Sequence, residues 1–135
     1  MEEKKKIVVS GMRKRSIARA SIIEGTGKIT INKVNYELLP YLRKLMIEEP
    51  LRIAKELGIV NYNISVTING GGAESGIEAA RLAIARALVK ASKSKELRKA
   101  FLAYDRNLLI ADTRVKESYK PGDSKARTKR QKSYR

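Results

Sequence analysis

The sequence predicts an α+β domain: a two-layer sandwich in which a mostly antiparallel, four-stranded sheet carries helices on one face, followed by an extended basic C-terminal tail. Three observations predict it. Segments with an apolar residue at every second position cluster early in the chain and recur once at its middle. After Gly70-Gly-Gly72 a long segment carries apolar stripes on two sides of a helix, the pattern of a helix held between a sheet and another helix. Beyond Pro121-Gly122 aliphatic residues almost vanish while Lys and Arg accumulate, so that stretch cannot bury enough apolar surface to offset the entropy of ordering itself. The chain divides accordingly into a body, residues 1–120, and a tail, residues 121–135.

Each element follows from its local pattern. Ile7-Val8-Val9 reads as a short strand ended by Ser10-Gly11, with a basic knot at Arg13-Lys14-Arg15. From Ile17 to Glu24, Ala18, Ala20 and Ile22 fall on one face and Arg19 and Ser21 on the other, a half-buried strand with a charged outer face. Glu24-Gly-Thr-Gly27 is a turn, and Lys28 to Asn32 alternates again, so these two strands are expected to form a hairpin. Leu38, Leu42, Leu45 and Met46 stand at helical spacing from about Pro40 to Glu48. Pro50 is placed to open a second short helix, with Leu51, Ala54 and Leu57 apolar and Gly58 as its stop. Tyr62, Ile64, Val66 and Ile68 alternate with Asn63, Ser65 and Thr67, the cleanest strand in the chain. A long helix runs from about Ser75 to Ala91, with Ile77, Ala80, Ile84, Ala87, Leu88 and Ala91 in one stripe and Leu82, Ala85 and Val89 in another. A further helix, capped by Ser94, presents Leu97, Ala100, Phe101 and Tyr104, and Leu108-Leu-Ile110 is a last apolar patch.

Charge narrows the function classes. Thirty Lys and Arg against fourteen Asp and Glu leave a formal charge of +16, of which +6 falls between Lys116 and Arg135, so the body is basic as well. Such an excess works against the isolated fold through self-repulsion and is relieved by a polyanion, nucleic acid first and an anionic membrane surface second. The absence of Cys and His removes thiol nucleophiles, disulfides, the usual general base and the commonest metal ligands. No cofactor, metal or catalytic residue is expected. The apolar run near the N-terminus is too short for a signal peptide or a membrane span, so a cytosolic protein is the expectation.

The glycine run fails both nucleotide fingerprints. A dinucleotide motif from Gly70 and Gly72 needs a third glycine where Ser75 stands, and a phosphate loop from Gly71 to Gly76 needs Lys where Ile77 stands. What remains is a strand–glycine–helix junction able to receive a phosphate of an RNA backbone or of a nucleotide, or simply a close backbone turn. Glu48, Glu49, Glu74, Glu78, Asp105 and Asp112 read as helix-start or surface acids. The cations are more telling: Arg13, Lys14, Arg15 and Arg19 at the first loop and second strand; Arg43, Lys44, Arg52 and Lys55 in the middle; Arg81 and Arg86 on the long helix; and Lys125, Arg127, Lys129, Arg130, Lys132 and Arg135 in the tail. A body clad in cations with a cationic arm suits a protein seated on folded RNA and gripping phosphates by shape. Tyr134 near the tip suits packing on sugar or base. The rivals are a DNA-compacting protein and a small nucleotide-dependent phosphotransferase.

Several segments together resemble one family. Gly11-Met-Arg-Lys-Arg-Ser-Ile-Ala-Arg19, Gly27-Lys-Ile-Thr-Ile-Asn32, Glu49-Pro-Leu51, Gly70-Gly-Gly72, Gly76, Ile84-Ala-Arg-Ala-Leu88, Asp112-Thr-Arg114 and the terminal Lys-Ser-Tyr-Arg look like small-subunit ribosomal protein nine, in order and from about residue 7 to the last. The ending Gln131-Lys-Ser-Tyr-Arg135 is similar to the archaeal and eukaryotic branch, bacterial members typically carrying Lys where Tyr134 stands. The resemblance implies a fold like the second domain of ribosomal protein five, with a left-handed crossover. It implies a seat on the 3′ (head) domain of small-subunit rRNA, among neighbouring head proteins. It implies a tail that reaches P-site tRNA through Arg135, with Tyr134, Ser133 and Lys132 behind it. Arg13, Lys14, Arg15 and Gly70, Gly71 and Gly72 would face rRNA, and Arg19, Arg81, Arg86, Lys125, Arg127, Lys129 and Arg130 are expected to join them.

Overall fold

Alternate burial along the strands sets the sheet, seen in a computed structural model that describes residues 4–119, 121, 125–127 and 134–135. Five strands, β1 (Ile7–Arg13), β2 (Ser16–Glu24), β3 (Ile29–Ile31), β4 (Val34–Asn35) and β5 (Tyr62–Asn69), lie in the order β1-β2-β5-β3-β4. Ala18, Ala20, Ile22, Ile64 and Val66 point inward and are buried, while Ile17, Arg19, Ser65 and Thr67 remain on the open face. That open, partly cationic face matches the expectation.

Two sequence expectations about the sheet need correction. Among the described residues it has five strands rather than four; it is mostly antiparallel, with one parallel pair, β3 against β5. The expected β2–β3 hairpin does not form: β5 lies between them, antiparallel to β2, with Ala20 opposite Val66. The cause is one side chain from β5. Asn63 Oδ1 accepts hydrogen bonds from the backbone N–H groups of Thr26, Gly27 and Lys28 at 3.0, 3.1 and 2.9 Å. This clasp carries the loop over the end of β5, so that the chain returns on the far side of that strand. At the other end of β3, Asn32 N–H reaches Val66 O at 2.8 Å and Asn32 Oδ1 accepts from Ile68 N–H at 2.9 Å. Two-residue β4 is too short to show a period-two pattern in sequence.

The first strand is also longer than expected. β1 passes through Ser10-Gly11 because Gly11 is a point of close approach and not a breaker. A Cβ there would lie 2.5 Å from Ala79 O and 2.7 Å from Ala83 N on the long helix.

Among the described residues three α-helices cover the inner face: α1 (Tyr41–Glu56), α2 (Ala73–Ser92) and α3 (Lys95–Tyr104). The two short helices expected either side of Glu49 are one, with Pro50 inside it. Proline forgoes a backbone bond at that point and strains its preceding turn. Pro50 is fully buried, and its packing with Ile47 and Ala54 outweighs the local break. α2 is buried on both stripes, from Ile77 and Ile84 to Leu82 and Ala85, with the sheet on one side and α1 and α3 packed against it. Ser94 caps α3, accepting from Leu97 N–H at 3.2 Å. Leu108, in a turn of 3-10 helix after α3, is fully buried and closes the core.

Candidate nucleic-acid interface

The basic knot and the glycine run, separated by more than fifty residues in sequence, form one structure. Lys14 and Arg15 make the tight turn between β1 and β2, Lys14 in the left-handed region at φ 51°. Ser16, fully buried, follows and donates its hydroxyl hydrogen to Gly70 O at 3.0 Å. Its Oγ also lies 2.7 Å from Ser75 Oγ. Either hydroxyl can donate across that contact; Ser75 Oγ also accepts from Gly72 N–H at 3.1 Å and lies within donating reach of Gly72 O at 3.1 Å. Gly71, at φ 65°, leaves the room these hydroxyls occupy: a Cβ there would stand 2.0 Å from Ser16 Oγ. The glycines thus serve as a close turn seated on the cationic hairpin. Gly72 is the N-cap of α2, so the N–H groups of Ala73, Glu74 and Ser75 have no intrahelical acceptor.

This junction walls a groove of about 890 Å³ lined by Arg13, Lys14, Arg15, Gly71, Gly72 and Ser75 on one side and by the segment from Arg114 to Tyr119 on the other. Five of its lining side chains are cationic and one, Glu117, is acidic. Lys14 and Arg15 are exposed and, among the described residues, make no ion pair. Arg13 is placed differently. Its Nε meets Glu78 on α2 at 2.6 Å and its Nη1 meets Asp112 at 2.7 Å, so it ties β1 to α2 and to the segment leaving the body. Asp112 in turn accepts from Arg114 through both Nε and Nη2, the latter at 2.8 Å, and through the Arg114 backbone N–H at 3.0 Å. The Arg114 side-chain bonds, then its backbone bond, hold the Asp112 carboxyl well below the usual carboxylate range, and Arg114 itself is raised.

The other expected residues divide by environment. Arg19 stands exposed at the centre of the open sheet face. Arg81 is turned inward, paired with Glu49 on α1 and with Asp105 after α3 at 3.1 Å. Arg86 donates to Leu109 O at 2.9 Å and to Ser10 O at 3.1 Å, joining the last body segment to β1. In the tail, Lys125 is exposed, Ala126 is buried and Arg127 pairs with Glu117 at 2.9 Å. Tyr134 and Arg135 are exposed; Lys129, Arg130, Lys132 and Ser133 lie outside the described residues. Sequence reading overlooked the Ser16–Ser75 pair and gave no role to Arg114, Lys116 or Tyr119. An Arg two residues after an Asp is a recognisable signal of a turn-held guanidinium, but nothing local says that this turn faces the glycine junction.

Among the described residues no cluster of metal-ligating side chains exists and no helix is long and apolar enough to cross a membrane. What the groove offers is positive charge beside a helix N-terminus, suited to phosphate oxygens.

Comparison with known proteins settles the lineage. The family described as ribosomal protein S9/S16 matches residues 11–135. The chain belongs to the ribosomal protein S9 family. It is 42% identical over 128 residues, 93% of this chain and 95% of the relative, to the small ribosomal subunit protein uS9 of Methanococcus vannielii. To its counterpart from Methanococcus maripaludis strain C7 it is 43% identical, with the same coverage. As an S9-family member it is an RNA-binding, structural ribosomal protein of the translation machinery and not an enzyme.

Proposed function

We propose that the protein is built into the cytoplasmic small ribosomal subunit, binds the 3′ (head) domain of its rRNA beside neighbouring head proteins, and sends its tail to the P-site tRNA. The observation that carries this reading is the groove. Lys14 and Arg15, which make no ion pair among the described residues, share one space with Arg114 and Lys116 beside the N-terminus of α2. That arrangement suits a phosphate backbone. Arg19 adds a second contact on the open sheet face. In this reading Arg13, Arg81 and Arg86 act within the fold, each tied to partners on other segments of the body.

The tail, residues 121–135, forms the second half of the reading. Its six Lys and Arg from Lys125 to Arg135 neutralise phosphates, and Tyr134, 89% exposed, is free to pack against a sugar or base at the tRNA contact of Arg135. Contacts of this kind carry no sequence information, which suits a site that accepts every tRNA.

The test is binding of the whole chain to a transcript of the rRNA 3′ domain and to duplex DNA at matched salt. A clear preference for the transcript is expected, together with co-sedimentation with the small subunit. Equal affinity for both would favour DNA compaction and overturn the assignment. Truncation after Ser124 removes up to six phosphate contacts and flattens the salt slope by at most about 4–5 log units per log salt. An unchanged slope would remove the tail from the interface.

A further inference from the structure

Arg114 is the most exposed of the groove's ion-paired cations, with 84% of its side chain open, yet both its Nε and its Nη2 are bonded to Asp112. Its anchor, Asp112, is only 16% exposed and accepts on both oxygens from the Arg114 guanidinium edge while also accepting from Arg13. The result is a chain of alternating charge, Glu78–Arg13–Asp112–Arg114, that starts on α2 and ends at the groove. Nε and one Nη2 hydrogen are taken by Asp112, so the remaining donors of Arg114 project away from the carboxylate.

We propose that Asp112 is a positioning residue for RNA, fixing Arg114 as a pre-aimed phosphate fork opposite Lys14 and Arg15. This rests on the reading of the groove as a phosphate-binding site. The geometry opposes two effects. A carboxylate beside the groove repels phosphate, which weakens binding. A guanidinium locked in place loses less rotamer entropy on contact, which strengthens it, because a free Arg side chain gives up on the order of 2 kcal/mol when immobilised. Asp112 is already paired with two guanidinium groups, Arg13 and Arg114, so its charge is largely compensated before a phosphate arrives. Orientation therefore wins.

The two effects give opposite signs for one substitution. Asp112→Asn removes a negative charge, so an electrostatic role alone predicts tighter RNA binding. Positioning predicts weaker binding, by about 3–10-fold, with the salt slope lower by about 0.7–0.9 as one phosphate contact is lost. Arg114→Gln should reproduce both changes, and the double variant should add little to either. Arg114→Lys, which keeps the charge but cannot make the two-pronged bond, should fall with Arg114→Gln rather than with the wild type. Circular dichroism checks each fold; should Asp112→Asn fail to fold, the Arg114 pair, which leaves the Asp112–Arg13 bond intact, decides the matter. Tighter or unchanged binding by Asp112→Asn, additive losses in the double variant, or full activity of Arg114→Lys would overturn the proposal. If the wild type shows no preference for rRNA over duplex DNA, the functional reading fails by itself, and the Asp112–Arg114 coupling is still measured on whichever polyanion binds.

Discussion

Gly71 and Gly58 offer a controlled experiment on what the groove junction contributes. Both sit in the left-handed region, at φ 65° and 77°, so an alanine at either bears the same backbone strain of about 1–2 kcal/mol. At Gly58 a new Cβ meets nothing within 4 Å. At Gly71 it would fall 2.0 Å from Ser16 Oγ, 2.9 Å from Ser16 N and 3.0 Å from Ser75 Oγ, all on buried, hydrogen-bonded residues with no flexible end to yield. Ser16 must shift, and its bonds to Gly70 O and Ser75 Oγ weaken, at about 1 kcal/mol each. Gly71→Ala should therefore lose about 3–4 kcal/mol and Gly58→Ala about 1–2 kcal/mol. Urea titrations with equal slopes would measure both, as shifts in midpoint. Gly71→Ala should also weaken RNA binding because the hairpin carrying Lys14 and Arg15 moves with Ser16, whereas Gly58→Ala should leave binding alone. Losses that agree within about 0.5 kcal/mol would refute the claim that packing, beyond backbone conformation, requires the glycine.

Three further outcomes are expected. Arg15→Gln should lower RNA affinity and the salt slope by about 0.7–0.9 without altering stability, while Arg81→Gln should cost about 2 kcal/mol of stability by stranding Glu49 and Asp105, with the slope unchanged; paired binding and urea curves separate them. Asn63→Ala should free the amides of Thr26, Gly27 and Lys28 to exchange with solvent and cost about 1–2 kcal/mol, read by hydrogen-exchange NMR. The Asp112 carboxyl titrates lower folded than unfolded, so its contribution is whole above the ordinary carboxylate range and is lost as pH falls through that range toward the depressed value. Stability measured from pH 6 to pH 3 should accordingly fall more steeply in the wild type than in Asp112→Asn.

Local pattern determined a great deal here. Period-two burial in Ile17–Glu24 and Tyr62–Ile68, the two-striped helix after Gly72, the Ser94 cap and the excess of cations all follow from neighbouring residues, because alternation and helical spacing are properties of a few consecutive side chains. So did the polyanionic partner, since net charge needs no coordinates. Tertiary structure decided the rest. A turn of Gly25–Gly27 reads as a hairpin until Asn63, from another strand, collects its amides and sends β3 to the far side of β5. Gly11 reads as a strand end until the backbone of α2 is found against it, and Pro50 as a helix start until burial outweighs its missing bond. Arg81 and Arg15 are alike on paper; only the positions of Glu49 and Asp105 make one a strut and leave the other facing the groove. Those outcomes depend on atoms brought together from distant parts of the chain, where a single side chain's partner, and not its type, fixes what it does.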